Sequence, residues 1–193
     1  MDLSGNQMGS CNAIVLEQAF LNLSELETLK LSNNNIGSQD DTGTVVIGNS
    51  LRFLPNLQSL DLSENEIGEV AENATVPLGK ISYLTNLRFL NLGGNDICLQ
   101  GSQGITNITQ ELRTLTKLQN LQLFDNSIEK NNESEVIAVG NALRFLPNLT
   151  DLNLWSNCIG CEGERGTIAI GSAHHRSDFL TQSAFRNFVA LMA

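Results

Sequence analysis

Bulky rings are scarce in this sequence: Phe, Trp and Tyr together make up 5% of its 193 residues. That scarcity suits a core of repeated thin aliphatic layers, in which a large ring would break the register between copies. Positive charge is scarce too, with 11 Lys and Arg against 21 Asp and Glu and a formal charge of -10. The balance sets nucleic acid and anionic membrane surfaces aside as partners and favours a basic or hydrogen-bonding protein. No apolar run approaches the roughly 18 to 20 residues that cross a bilayer, and Met1-Asp2-Leu3-Ser4 lacks the basic and apolar leader of a secreted chain. Cys11, Cys98, Cys158 and Cys161 are scattered, without paired cysteine caps, so a reducing, cytoplasmic compartment is expected. Histidine is limited to His174 and His175, and neither a Gly-rich phosphate loop nor a nucleophile elbow occurs. No catalytic set and no cofactor is therefore expected.

What the sequence does have is repetition. Leu51-Arg-Phe-Leu-Pro-Asn-Leu-Gln-Ser-Leu-Asp-Leu-Ser-Glu-Asn-Glu-Ile67 returns as Leu143-Arg-Phe-Leu-Pro-Asn-Leu-Thr-Asp-Leu-Asn-Leu-Trp-Ser-Asn-Cys-Ile159. The template L-x-x-L-x-L-x-x-N-x-I places asparagines at Asn34, Asn65, Asn95, Asn126 and Asn157, with a truncated copy around Asn6. Successive asparagines are 28, 31, 30, 31 and 31 residues apart. This motif and period resemble leucine-rich repeats of the long ribonuclease-inhibitor-like class, over residues 1 to about 172. The resemblance implies an α/β solenoid: a right-handed horseshoe arc of six repeats, with a parallel sheet on the concave face and helices on the convex face.

The residues agree with that architecture independently. Leu29-x-Leu31, Leu60-x-Leu62, Leu90-x-Leu92, Leu121-x-Leu123 and Leu152-x-Leu154 alternate with polar residues, as short strands with one buried face do. Each strand must then turn a corner beside the core, and asparagine carries the donor and the acceptor that the turning backbone needs. Ile105, Ile108, Leu112 and Leu115, like Val136, Val139, Leu143 and Leu146, mark one apolar helical face. Thr75-Val76-Pro77 suits a helix start, Leu54-Pro55 and Leu146-Pro147 suit helix ends, and a first helix is expected over Ala13 to Leu23. The repeats drift after Gly166, so residues 1-172 read as solenoid and 173-193 as a C-terminal capping segment of the same domain. Met1 lies one strand position before Leu3, so the first strand is expected to be an uncovered edge, a place for self-pairing or for sequence preceding Met1.

On the exposed side of the sheet, side chains form rows, one residue per repeat, about 4.8 Å apart. The row two before each Asn reads Ser32, Ser63, Gly93, Phe124, Trp155, which puts two large rings next to each other in a polar surround. They are either the hot spot of an interface or a ring pair packed on itself or under the C-terminal segment. The candidate partner-binding residues are Phe124 and Trp155 with Gln122, Asn153, Asp125 and Asp151. Phe89, exposed a strand's length away, and Asn91 and Asp61, from the mildly acidic row four before each Asn, complete the set. Gly93-Gly94 leaves either a notch for a partner side chain or a neutral variation.

Cys158-x-x-Cys161 with His174-His175 resembles a zinc set, but the cysteines fall at variable repeat positions and adjacent histidines do not easily face one metal, so no metal is expected. The acceptor patterns at Asn22, Asn73, Asn107, Asn132 and Asn148 read as chance in an Asn-rich repeat. The near-duplicate units also resemble the regular repeats of effectors that intracellular bacteria deliver into host cells. That resemblance implies a virulence role against a host protein, in the host cytosol and without a cleavable signal peptide. Similar long repeats build GTPase-activating proteins for the nuclear-transport GTPase and ribonuclease inhibitors, which supply the alternative reading, a regulator; the acidic surface fits the second of these.

Overall fold

The computed structural model describes residues 1–38, 42–68, 76–128, 132–161 and 164–174. The elements alternate along the chain: α1 (Gly9–Phe20), β1 (Thr28–Lys30), α2 (Thr42–Ser50) running into a 3-10 turn (Leu51–Phe53), β2 (Ser59–Asp61), a 3-10 helix (Val76–Tyr83), β3 (Phe89–Asn91), α3 (Gln103–Leu112), β4 (Asn120–Gln122), α4 (Glu133–Leu143), β5 (Asp151–Asn153) and α5 (Arg165–His174). The strands form one parallel sheet in sequence order, β1-β2-β3-β4-β5. Its register aligns Leu29, Leu60, Leu90, Leu121 and Leu152 as one column. Two residues on, the amides of Leu31, Leu62, Leu92 and Leu123 each donate to the next turn at 2.8 to 2.9 Å, which sets Leu62, Leu92, Leu123 and Leu154 in a second column. The first three of these four are fully buried and Leu154 is partly so. The chain is a solenoid, and the alternation of leucine with polar residues is what aims one column inward and the polar rows outward.

Strands pack about 4.8 Å apart and helices about 8 to 10 Å apart, so stacking one of each per turn bends the array and puts the sheet on the inside of the curve. The helical faces read from the sequence are buried: Ile105, Ile108, Leu112 and Leu115 in one turn, Val136, Val139, Leu143 and Leu146 in the next. Helix α4 starts where Asn132 accepts from the Ser134 amide at 2.9 Å, with Glu133 and Glu135 in the first turn against the positive helix end. Gly140 lets α5 close on α4, since a Cβ there would lie 2.7 Å from the Ala169 carbonyl carbon. Pro77 sits near the start of the crossover between β2 and β3, which is a 3-10 helix and not an α-helix.

Two expectations need correcting. Among the described residues the sheet has five strands and not one for each of six repeats: the truncated first copy contributes a single bridge, Asp2 to Lys30, held by Leu3 donating to the Lys30 carbonyl at 2.9 Å and Lys30 donating to the Met1 carbonyl at 3.0 Å. Helix α1 runs over Gly9–Phe20, earlier than Ala13 to Leu23, because Gly9 at φ +59 makes the tight turn that lets the helix begin at once. Helix α5 runs to His174, and the rest of the segment expected to cap the solenoid lies outside the described residues.

The asparagines hold the turns together. In each of Asn65, Asn95 and Asn126 the side-chain NH2 donates to carbonyls two and three residues back and to the preceding turn, as with Asn95 to Leu62 at 2.9 Å and to Leu92 at 3.0 Å. The side-chain oxygen accepts from two amides of the preceding turn: that of Asn126 takes Asn95 N–H and Ile97 N–H, both at 3.3 Å. All three are fully buried. Asn126→Ala would strand several of these groups without water, so a loss of about 1 to 3 kcal/mol is expected in urea unfolding.

Candidate functional site

The outward rows of the sheet are built by the same turns that close the core. The residue just before each asparagine, Asn33, Glu64, Gly94, Asp125 or Ser156, has left-handed backbone at φ 50 to 63. That conformation turns the chain sharply and lifts Glu64 and Asp125 to the end of the sheet face. Of the five residues at the position four before, Lys30, Asp61, Asn91, Gln122 and Asn153, three, Asp61, Asn91 and Asn153, each accept from the amide two residues on at 3.0 Å, from Ser63, Gly93 and Trp155 respectively. Asp2 does the same for Ser4 at 3.1 Å, and the Ser4 amide and hydroxyl hold its carboxyl below the usual range, with Lys30 adding to the effect.

This finding divides the candidate residues. Asp61, Asn91 and Asn153 first serve the fold, fixing the turn that carries the next row. Gln122 is one methylene too long for that turn and donates instead to Asn120 at 2.6 Å, which in turn donates to Asp151 at 2.7 Å. Phe89 is half-buried and not exposed as expected, two strands from β5 at the far end of the sheet face. Asp125 and Trp155 adjoin directly: the Asp125 amide donates to the Trp155 carbonyl at 2.9 Å, and Ser156 donates to the Asp125 carboxylate at 3.3 Å. The Trp155 ring is exposed, with 61% of the residue open to solvent.

Phe124 occupies the space that the two glycines leave. A Cβ on Gly93 would run into the Phe124 ring, so the ring lies against bare backbone, leaning toward β3 and away from β5. A Cβ on Gly94 would lie 2.6 Å from the Glu64 carboxylate. The notch is filled from within the chain.

Two further rows went unread. On the return from helix to strand, Asn56, Asn86 and Asn148 donate to the carbonyls of Ser24, Pro55 and Thr116 in the preceding turn at 3.2, 3.0 and 2.7 Å, a second ladder signalled by the Asn of Leu-Pro-Asn-Leu and Leu-Thr-Asn-Leu. Beside it stand Arg52, Arg113 and Arg144, each directly after a buried leucine, Leu51, Leu112 or Leu143. The repeated Leu-Arg, followed by Phe at Arg52 and Arg144, was the signal.

Of the cysteines, Cys98 is buried, and burial together with the neighbouring Glu135 charge pushes its thiol well above the usual range. Cys161 is exposed and Cys158 half-buried. Among the described residues no cluster of three His, Cys, Asp or Glu side chains could hold a metal; His175 and the His174 side chain lie outside that set. Nor, among them, is any helix long and apolar enough to cross a membrane.

The Leucine Rich repeat family profile matches residues 53–70 and 83–101, the stretches that carry β2 and β3 with their asparagine turns. The chain carries leucine-rich repeats. Among solved structures it is similar to the leucine-rich repeat-containing protein LegL7 of Legionella pneumophila, at 23% identity and a TM-score of 0.48, over 89% of this chain and 61% of that one. It is also similar to an internalin of Listeria monocytogenes, at 20% identity and a TM-score of 0.33, over 71% of this chain and 44% of that one. The leucine-rich-repeat chain thus spans about three fifths of the first and under half of the second. No curated protein matches it in sequence. Repeats of this kind serve as protein-interaction modules.

Two measurements check the geometry. Gly93→Ala is expected to cost about 1 to 3 kcal/mol by displacing the Phe124 ring. Gly171→Ala, in α5 with nothing within 4 Å of its new methyl, should stabilise by about 0.5 to 1 kcal/mol, and urea midpoints give both signs. A thiol reagent near neutral pH should label Cys161 in the native protein and reach Cys98 only on unfolding, because a buried thiol held above its usual pKa offers no thiolate.

Proposed function

We propose that the chain is a non-catalytic interaction module that takes a partner protein on its concave sheet face, centred on Trp155, Asp125 and Phe124. The observation that carries this reading is the Trp155 ring. It stands in the turn just past β5, where the Asn153 side chain accepts from its amide, and the residue keeps 61% of its surface open to solvent. An aromatic ring held rigidly in a polar surround loses little entropy on association and buries a large area, which is how interface hot spots are built. The half-buried Phe124 floor, Gln122 and Asn153 border it, and Asp151 and Phe89 lie toward the starts of the strands. Asp61, Glu64 and Asp125 favour a partner that presents basic groups there.

The finer reading is a bacterial effector that meets a host protein in the host cytosol. It rests on the near-duplicate units Leu51 to Ile67 and Leu143 to Ile159. Neither a cofactor nor nucleic acid enters it.

The test uses a photoreactive aromatic amino acid placed at 155, with position 83 as the comparison, since Tyr83 is 49% exposed but lies on the helical side. A discrete adduct from position 155 alone is expected. Trp155→Ala should weaken capture of that partner at least tenfold, as loss of a hot spot of about 2 kcal/mol does, with the melting temperature unchanged. Equal adducts from both positions, or undiminished capture by Trp155→Ala, would place the partner elsewhere.

A further inference from the structure

From the second helix onward, charge on this solenoid is sorted by position within the repeat. Of the five returns that carry a helix back to its strand, the first, 21–27, holds Glu25 and Glu27, while the other four, 51–58, 80–88, 112–119 and 143–150, hold Arg52, Lys80, Arg88, Arg113, Lys117 and Arg144 and no acidic residue. The described turns that leave the strands, 63–68, 93–98 and 124–128, hold Glu64, Glu66, Asp96 and Asp125 and no basic residue. Six of the chain's 11 basic residues therefore stand along one rim of a molecule whose formal charge is -10. Scattered surface charge would have mixed the signs.

Along that rim the arginines are exposed, and among the described residues no carboxylate lies in ion-pair range of Arg52, Arg113 or Arg144. Two of them are stacked: the Arg113 guanidinium sits 3.9 Å from the centre of the Phe145 ring and that of Arg52 4.6 Å from Phe53. Stacking fixes the plane of the guanidinium and leaves its N–H edge open for a carboxylate. Arg113, Phe145 and Arg144 also line a groove of about 650 Å³ between α3 and α4, with Gln110 and Asn141 on its walls. Its two charged side chains are arginines, its walls include no acidic residue, and the Phe145 residue is 42% exposed. Arg88 is different, since it shares its hollow with Glu25 and Glu27 and is locally balanced.

We propose that this groove docks an acidic peptide segment of a partner protein, with carboxylates on Arg113 and Arg144 and an apolar side chain against Phe145. The site is separate from the sheet face and stands or falls independently of it. A membrane or nucleic acid is the poorer fit, because the rim's few positive charges sit on a strongly anionic molecule that both would repel. The short-range fork of a stacked arginine works on a carboxylate nonetheless.

The probe is a fluorescein-labelled peptide of glutamate pairs separated by leucine, read by anisotropy at low ionic strength, with its glutamine counterpart as control. The acidic peptide should bind and the glutamine one should not. Arg113→Gln with Arg144→Gln should weaken binding about tenfold or more, Arg113→Lys should weaken it less, and Trp155→Ala should leave it unchanged, with melting curves showing each variant folded. Several results would overturn the proposal: no binding of the acidic peptide, binding that survives the double substitution, or preference for phosphatidylserine vesicles over the peptide. Sedimentation showing that the arginines instead hold a second copy of the chain would also overturn it.

Discussion

Every turn after a strand leaves backbone N–H and C=O groups beside a core too dry to hydrate them, and one buried asparagine per repeat satisfies them. Its amide closes its own turn and reaches one turn back, while its oxygen accepts from the preceding turn, so neighbouring turns are coupled by the same side chain. The leucine columns supply the driving force of burial, but burial has no preferred direction. The asparagines supply the direction: they fix where the chain bends, hence the register of the next strand and which residues share a row.

Once rows are fixed, the chain has two surfaces with separate vocabularies. The interior repeats itself and carries little that distinguishes one repeat from another. The outward rows vary, and the variation is ordered: rings toward β4 and β5, acids on the turns that leave the strands, arginines and a second asparagine ladder on the returns. A rigid scaffold with variable rows suits recognition, since little conformational freedom is lost when a partner docks. Interface and stability also share residues here. Asp61, Asn91 and Asn153 cap the turns that aim Ser63, Gly93 and Trp155, so changing them perturbs the fold along with any contact they make.

The sequence showed the strands, both leucine columns, the asparagine positions and the buried helix faces, because each is a periodic demand on residue type. It did not show that the first copy would be a bridge, since a strand needs paired neighbours over more than one residue and Met1 to Leu3 supplies too few. The 3-10 form of the crossover between β2 and β3 was hidden because its apolar spacing, Ile81 to Leu84, fits either helix. The candidate site was legible as positions and not as orientations. That Phe124 leans over Gly93 depends on which neighbour lacks a side chain, and the link lies across strands, 31 residues away in sequence. The arginine rim was legible as well, but only when charges are grouped by their place in the repeat and not summed over the chain.

The account's central claim, that buried asparagine amides couple the turns, is tested most directly by exchange of their side-chain NH2 protons followed by NMR. Those of Asn65, Asn95 and Asn126 are expected to exchange far more slowly than those of Asn33, which is exposed on the surface of the same turns. Exchange of all four at one rate would mean the ladder opens freely to water, and the turns would then have to be held by something else.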